Sequence, residues 1–169
     1  ADELFSAIES GKPAQLTEDV TVNETIPLAQ NGETVINLNN NTLTSTITDT
    51  AENSTLPAIG EGQTLSITNG ELELDASAVN FSNISVVAGG TLNLENVTYT
   101  TNGTAIFPRG DAAEVNIVNS TINANGYCLS TNAATAENHN VVFNLKDSTF
   151  NGGQGASDPY QCSLHREYG

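Results

Sequence analysis

Methionine and tryptophan are absent from the 169 residues, and aromatics reach only 5%. Lysine and arginine number four against twenty aspartates and glutamates, a formal net charge of −16. So few cations exclude the phosphate-neutralising surface on which nucleic-acid binding rests, and they disfavour an anionic membrane surface for the same reason. No apolar run approaches the roughly 18 residues of a membrane-spanning helix, so no membrane insertion is expected. Sparse aromatic rings leave little for stacking against sugars. Charge is also low in total, at 14%; the polarity comes instead from 22 Asn, 21 Thr and 13 Ser. There are only two cysteines, Cys128 and Cys162, which suits one disulfide in an oxidising compartment. A chain that starts at Ala1 without methionine matches the mature product of signal cleavage, so an extracellular location is expected.

What the chain does have is an internal repeat. Five segments follow the pattern apolar, x, apolar, x, Asn/Asp, x, x, apolar. They are Ile36, Leu38, Asn40, Leu43; Leu65, Ile67, Asn69, Leu72; Leu92, Leu94, Asn96, Tyr99; Val115, Ile117, Asn119, Ile122; and Phe143, Leu145, Asp147, Phe150. Each alternates as a strand does, apolar in and polar out, and the parity break after the Asn demands a bend. Short apolar runs such as Ile84 to Val87 and Ala105 to Phe107 lie between repeats, set off by Gly-rich corners. Three short strands in every 23 to 29 residues, with no helix between them, predict an all-β fold: a single parallel β-helix domain over 1–169 with about six coils.

The ends differ from the middle. Asp2 is placed to cap a short helix within 1–12, with Leu4, Phe5 and Ile8 on one face. Laid across the first coil, that helix would cover the open end of the solenoid. Residues 152–169 are polar and Gly-rich, and are expected to form an irregular tail.

Stacked strands, Asn positions and an N-terminal cap helix together resemble the right-handed β-helix of the pectate-lyase-like superfamily, and its non-enzymatic surface members more than its lyases. The resemblance runs from about Leu4 to Cys162 and is carried by the repeat, not by a catalytic signature. It implies a right-handed wind and an extracellular surface role.

The Asn column (Asn40, Asn69, Asn96, Asn119, Asp147) is expected to point inward at the bends, in the left-handed conformation that Asn tolerates. Beside it runs a Thr column: Thr42, Thr98, Thr121 and Thr149, interrupted by Glu71. Where the columns meet they create sequons automatically, at Asn40, Asn96 and Asn119, and an inward Asn cannot carry a glycan. The glycosylation candidates are therefore Asn23, Asn53, Asn80, Asn83 and Asn102. Cys128 and Cys162 are expected on neighbouring coils as a disulfide, the alternative being two buried thiols.

Chemistry is thin. The lyases and polygalacturonases of the resembled superfamily imply adjacent aspartates, a Gly-His-Gly motif and a basic catalytic residue, and the first two are missing here. His139 and His165 are isolated. Glu71, Glu73 and Asp75 alternate on one outer strand face with Glu95 available from the next coil; they are the metal candidates, and calcium the cofactor candidate. A solvated edge that opposes aggregation explains the same residues. Arg109-Gly110-Asp111 spells an integrin-type tripeptide, and Thr42 to Thr50 alternate as an ice-binding face would, but neither extends into a repeated array. The function expected is an extracellular structural or adhesive glycoprotein, a surface module or filament subunit without enzymatic activity, with self-association or other surface proteins as partners. A carbohydrate-binding module, calcium-assisted, is the second reading, and a polysaccharide lyase-like enzyme the third.

Overall fold

In the computed structural model, residues 1–30, 32–46, 58–75, 84–108, 110–131 and 140–153 are described. Among these residues helix α1 (Asp2–Glu9) is followed only by strands. These are β1 (Ala14–Gln15), β2 (Val20–Val22), β3 (Gly32–Asn37), β4 (Thr42–Ser45), β5 (Ala58–Ile59), β6 (Gln63–Leu74), β7 (Ile84–Val86), β8 (Thr91–Thr101), β9 (Ile106–Pro108), β10 (Glu114–Val118), β11 (Thr121–Ala124), β12 (Val142–Lys146) and β13 (Thr149–Asn151). Every strand pairing is parallel, and each joins one coil to the next: β1-β3-β6-β8-β10-β12 along one side, and β5-β7-β9 along another. On the remaining side β2 pairs β4, β4 pairs the second half of β6, and β8, β11 and β13 continue the stack. The fold is a parallel β-solenoid.

Like stacks on like because the register permits nothing else. Leu65 pairs with Leu92, Leu92 with Val115, and Val115 with Phe143. Ile67, Leu94, Ile117 and Leu145 form the next column, and Leu43, Leu72, Tyr99, Ile122 and Phe150 a third. The inner positions of the middle coils are almost entirely shut off from solvent. At about 25 cal/mol per Å² of apolar surface removed from water, these columns are the main source of stability.

The coil number is smaller than expected. Four coils close on three sides, those that begin at β3, β6, β8 and β10, the last through the Ile106–Leu129 bridge. The β1–β2 coil and the β12–β13 rung contribute two sides each among the described residues. Counting the six rungs of one sheet therefore overstates the number of complete turns. The repeat alignment also shifts in the coil that begins at β3. Ile36 pairs with Ile67, not with Leu65, while Leu43 still pairs with Leu72, so this coil holds two extra residues at its corner. They are accommodated by a turn from Asn41 N–H to the Leu38 carbonyl, with Asn39 and Asn40 both left-handed. Leu38 is thereby pushed over Gly70, where an added Cβ would lie 2.6 Å from Leu38 Cβ and from the Asn41 carbonyl oxygen.

Helix α1 covers the N-terminal coil as expected, burying Leu4 and Ile8. Its N-cap is Ala1, not Asp2, and no side chain caps it; Asp2 and Glu3 sit in the first turn, where carboxylates favour the helix dipole. Gly11, at φ +76°, ends it.

Tyr99, in the shortest coil, is fully buried and its hydroxyl donates to the Ala105 carbonyl at 2.8 Å. Burial pushes its ionisation well above the ordinary phenol range. A raised folded-state pKa contributes stability that is complete below about pH 10, where unfolded tyrosine starts to ionise, and is lost as pH rises beyond it. Tyr99→Phe should cost about 0.5–1.5 kcal/mol by removing this bond, the Ala105 carbonyl keeping the Ile84 N–H at 3.1 Å, and should flatten the alkaline decline; urea melts at neutral and alkaline pH measure both. Gly70→Ala should destabilise by about 1–3 kcal/mol, because the opposing atoms include backbone that cannot give way; the same melts apply.

Candidate functional site

The outer faces are built from the residues that alternate with the core columns. On the β3-β6-β8-β10-β12 side the central outward column is Ser66, Asn93, Asn116 and Asn144. Each side chain reaches one coil back. Asn144 Nδ2 donates to Asn116 Oδ1 at 2.7 Å, Asn116 Nδ2 to Asn93 Oδ1 at 2.8 Å, and Asn93 Nδ2 to Ser66 Oγ at 3.0 Å. Ser66 Oγ then donates to Glu33 Oε2 at 3.2 Å. A second column repeats the device: Asn151 Nδ2 donates to Asn123 Oδ1 at 2.7 Å, and Asn123 faces Thr100. These ladders escaped the sequence reading, although the signal was there: the x between the two apolar positions is Ser66, Asn93, Asn116 and Asn144 in consecutive repeats.

The corner column behaves half as expected. Asn40, Asn69, Asn96, Asn119 and Asp147 all have positive φ, between 47° and 62°. They do not point inward: Asn40, Asn96, Asn119 and Asp147 are exposed and Asn69 is half-buried. A left-handed residue breaks the in–out alternation and turns its own side chain out at the corner, so the geometric reason for excluding the three corner sequons fails. Of the favoured sequons, Asn23 is exposed, and so is Asn102, whose Nδ2 donates to Asp75 Oδ1 at 2.9 Å. Asn53, Asn80 and Asn83 lie outside the described residues.

The acidic row is real but does not converge. Glu71, Glu73 and Asp75 are exposed along β6 and just beyond it, so successive members stand about 7 Å apart. Glu71 and Glu73 face Thr42 and Thr44 in one direction and Thr98 and Thr100 in the other, and Thr42 Oγ1 donates to Glu71 Oε2 at 3.3 Å. Glu95 is not beside them; it pairs with Thr68, before the bend. Among the described residues no three His, Cys, Asp or Glu side chains gather closely enough to hold a metal ion.

Cys128 is buried, its Sγ 3.7 Å from the Ile122 carbonyl oxygen. No disulfide forms among the described residues, and Cys162 lies outside them. Arg109, His139 and His165 also lie outside them. Gly110 is wedged against the backbone of Ala88, and the Asp111 carboxylate accepts the Asn140 N–H at 3.1 Å, so this tripeptide's Gly and Asp serve coil packing. A groove of about 280 Å³ runs between α1 and the first coil, floored by Leu4, Ala14 and Leu16 and edged by Asp2, Glu3 and Glu18.

No helix among the described residues is long and apolar enough to cross a membrane. No protein-family model matches the chain, and neither a curated protein nor a solved structure matches it. Asn116 is the central rung of the amide ladder. Asn116→Ala should remove hydrogen bonds to both neighbours and cost about 1–2 kcal/mol, read as a lower urea midpoint with unchanged far-ultraviolet circular dichroism.

Proposed function

We propose that this chain is a non-enzymatic structural module of an extracellular surface, a right-handed β-helix of the pectate-lyase-like kind that displays loops and glycans along a stiff rod. One observation carries the reading. The outward amides and hydroxyls are engaged coil to coil in ladders, which rigidify the rod instead of converging on a substrate. The acidic row supports it, since carboxylates strung along a strand with threonines between them keep a sheet face hydrated and unaggregated. In this reading the module is glycosylated at exposed asparagines, Cys128 pairs with Cys162 to tie down the C-terminal segment, and partners are other copies or neighbouring surface proteins.

A second reading, a carbohydrate-binding face, draws on the same amide ladder. Its side chains are held in place before any ligand arrives, which lowers the entropic cost of binding a neutral glycan. Glycan-array binding with and without chelator, together with incubation with polygalacturonate and alginate, separates the readings. The structural module gives silence in every arm. Glycan binding transfers support to the second reading, with loss on chelation assigning a role to calcium, and depolymerisation overturns both.

A further inference from the structure

Asparagine is followed by glycine at Asn69-Gly70, Asn102-Gly103, Asn125-Gly126 and Asn151-Gly152 among the described residues. Such a pair can modify itself. The glycine main-chain nitrogen gives up its proton and attacks Cγ of the asparagine. The new C–N bond closes a succinimide ring, the Cγ–Nδ2 bond breaks, and Nδ2 leaves with the proton as ammonia. Water then opens the ring at either carbonyl, to aspartate or to isoaspartate, whose main chain runs through the side-chain carbons and is one methylene longer. The sum is amide plus water giving acid plus ammonia. Glycine favours the ring because it has no Cβ to obstruct the rotation that brings its nitrogen against Cγ.

In this fold each pair has one of its two reacting groups tied to the coil before it. Asn69 Nδ2 donates to Asn37 Oδ1 at 3.3 Å, Asn102 Nδ2 to Asp75 Oδ1 at 2.9 Å, and Asn151 Nδ2 to Asn123 Oδ1 at 2.7 Å. At the fourth pair the tie is on the nucleophile: the Gly126 N–H donates to the Gly103 carbonyl at 3.1 Å. Packing reinforces two of the ties. Gly70 is walled in by Leu38 and the Asn41 carbonyl, and Gly153 lies so close over the Asn125 main chain that an added Cβ would stand 2.3 Å from the Asn125 oxygen. Ring closure requires the side chain and the glycine nitrogen to meet, so each tie must open before its pair can react.

Two of the ties are linked. Asp75, Asn102 and Asn125 occupy one corner of three successive coils, because Leu74 pairs with Thr101 and Thr101 with Ala124. The acceptor that protects Asn125, the Gly103 carbonyl, belongs to the pair that Asp75 protects. Once Asn102 has become an acid, a carboxylate faces Asp75 where an amide used to donate, and the like charges repel. Isoaspartate also lengthens the turn and displaces Gly103, which frees the Gly126 N–H. Asn69 and Asn151 lie within β6 and β13, away from this corner. We infer that Asn102 is a latent self-modification site held shut by Asp75, and that its conversion unlocks Asn125 in the next coil. The inference goes beyond the proposed function and requires the wound stack alone.

Peptide mapping by mass spectrometry, which reads the mass gained from amide to acid, tests it. The chain is made without glycans and held at mildly alkaline pH, with circular dichroism to verify folding. Asn102 should react about tenfold more slowly in the folded chain than in the same chain unfolded in urea. Asp75→Ala should bring that rate most of the way to the unfolded value, whereas Asp75→Asn, which keeps an acceptor oxygen, should retain the protection. Neither variant should move Asn69 or Asn151. Modified Asn125 should appear after a lag, on molecules already modified at Asn102, and Asn102→Asp should speed it without any change at Asp75. Equal folded and unfolded rates at Asn102, or a folded Asp75→Ala chain that reacts no faster there, overturn the gate. Asn125 modified on molecules whose Asn102 is intact, or indifferent to Asn102→Asp, overturns the order of loss.

Discussion

Parallel hydrogen bonding between successive coils is the constraint on which the rest depends. Once Leu65 is paired with Leu92 and Leu92 with Val115, every residue of a coil has a fixed neighbour above and below. Apolar side chains then form columns that share one interior, and polar ones form columns that share one surface. Asparagine serves both demands of such a stack. At the corners it adopts the left-handed backbone that ends one side and begins the next; on the flat sides its amide, with donor and acceptor at one tip, links a coil to its neighbour. The unusual amide content is thus largely an architectural requirement.

The repeat was legible because its period and in–out alternation are properties of adjacent residues. Columns through Leu72, Tyr99 and Ile122 could be written down from spacing alone. What could not be read was anything that depends on a local exception. In the coil that begins at β3, Ile36 and Leu38 match the pattern as well as Thr34 and Ile36 do, and only the register with Ile67 shows that Thr34 occupies the core position. Thr34 looks polar, yet its hydroxyl accepts the Ala29 N–H at 3.0 Å and is buried at little cost. The orientation of the corner asparagines was misjudged for a related reason. Alternation extrapolated through Asn96 predicts an inward side chain, but a positive φ resets the parity at that residue.

The acidic row shows why spacing alone is a weak guide to a site. Glu71, Glu73 and Asp75 share a face, as alternation requires, but a strand holds successive same-face residues too far apart to grip one ion. A metal site on this scaffold would need carboxylates from adjacent coils at one height, and the facing positions here are threonines. Sequence places residues on faces reliably; what shares a height is decided by the lengths of the loops between them.

The orientation of the backbone ladders also has a mechanical meaning. Nearly all coil-to-coil hydrogen bonds lie along the rod axis, so tension between its two ends opens them in series, one rung after another, in place of shearing many together. A released coil of 23 to 29 residues reaches roughly 80–100 Å when taut, against about 4.8 Å while wound. Pulled at its tips, such a rod would pay out slack in steps, as a spool does, and wind up again once the load is removed.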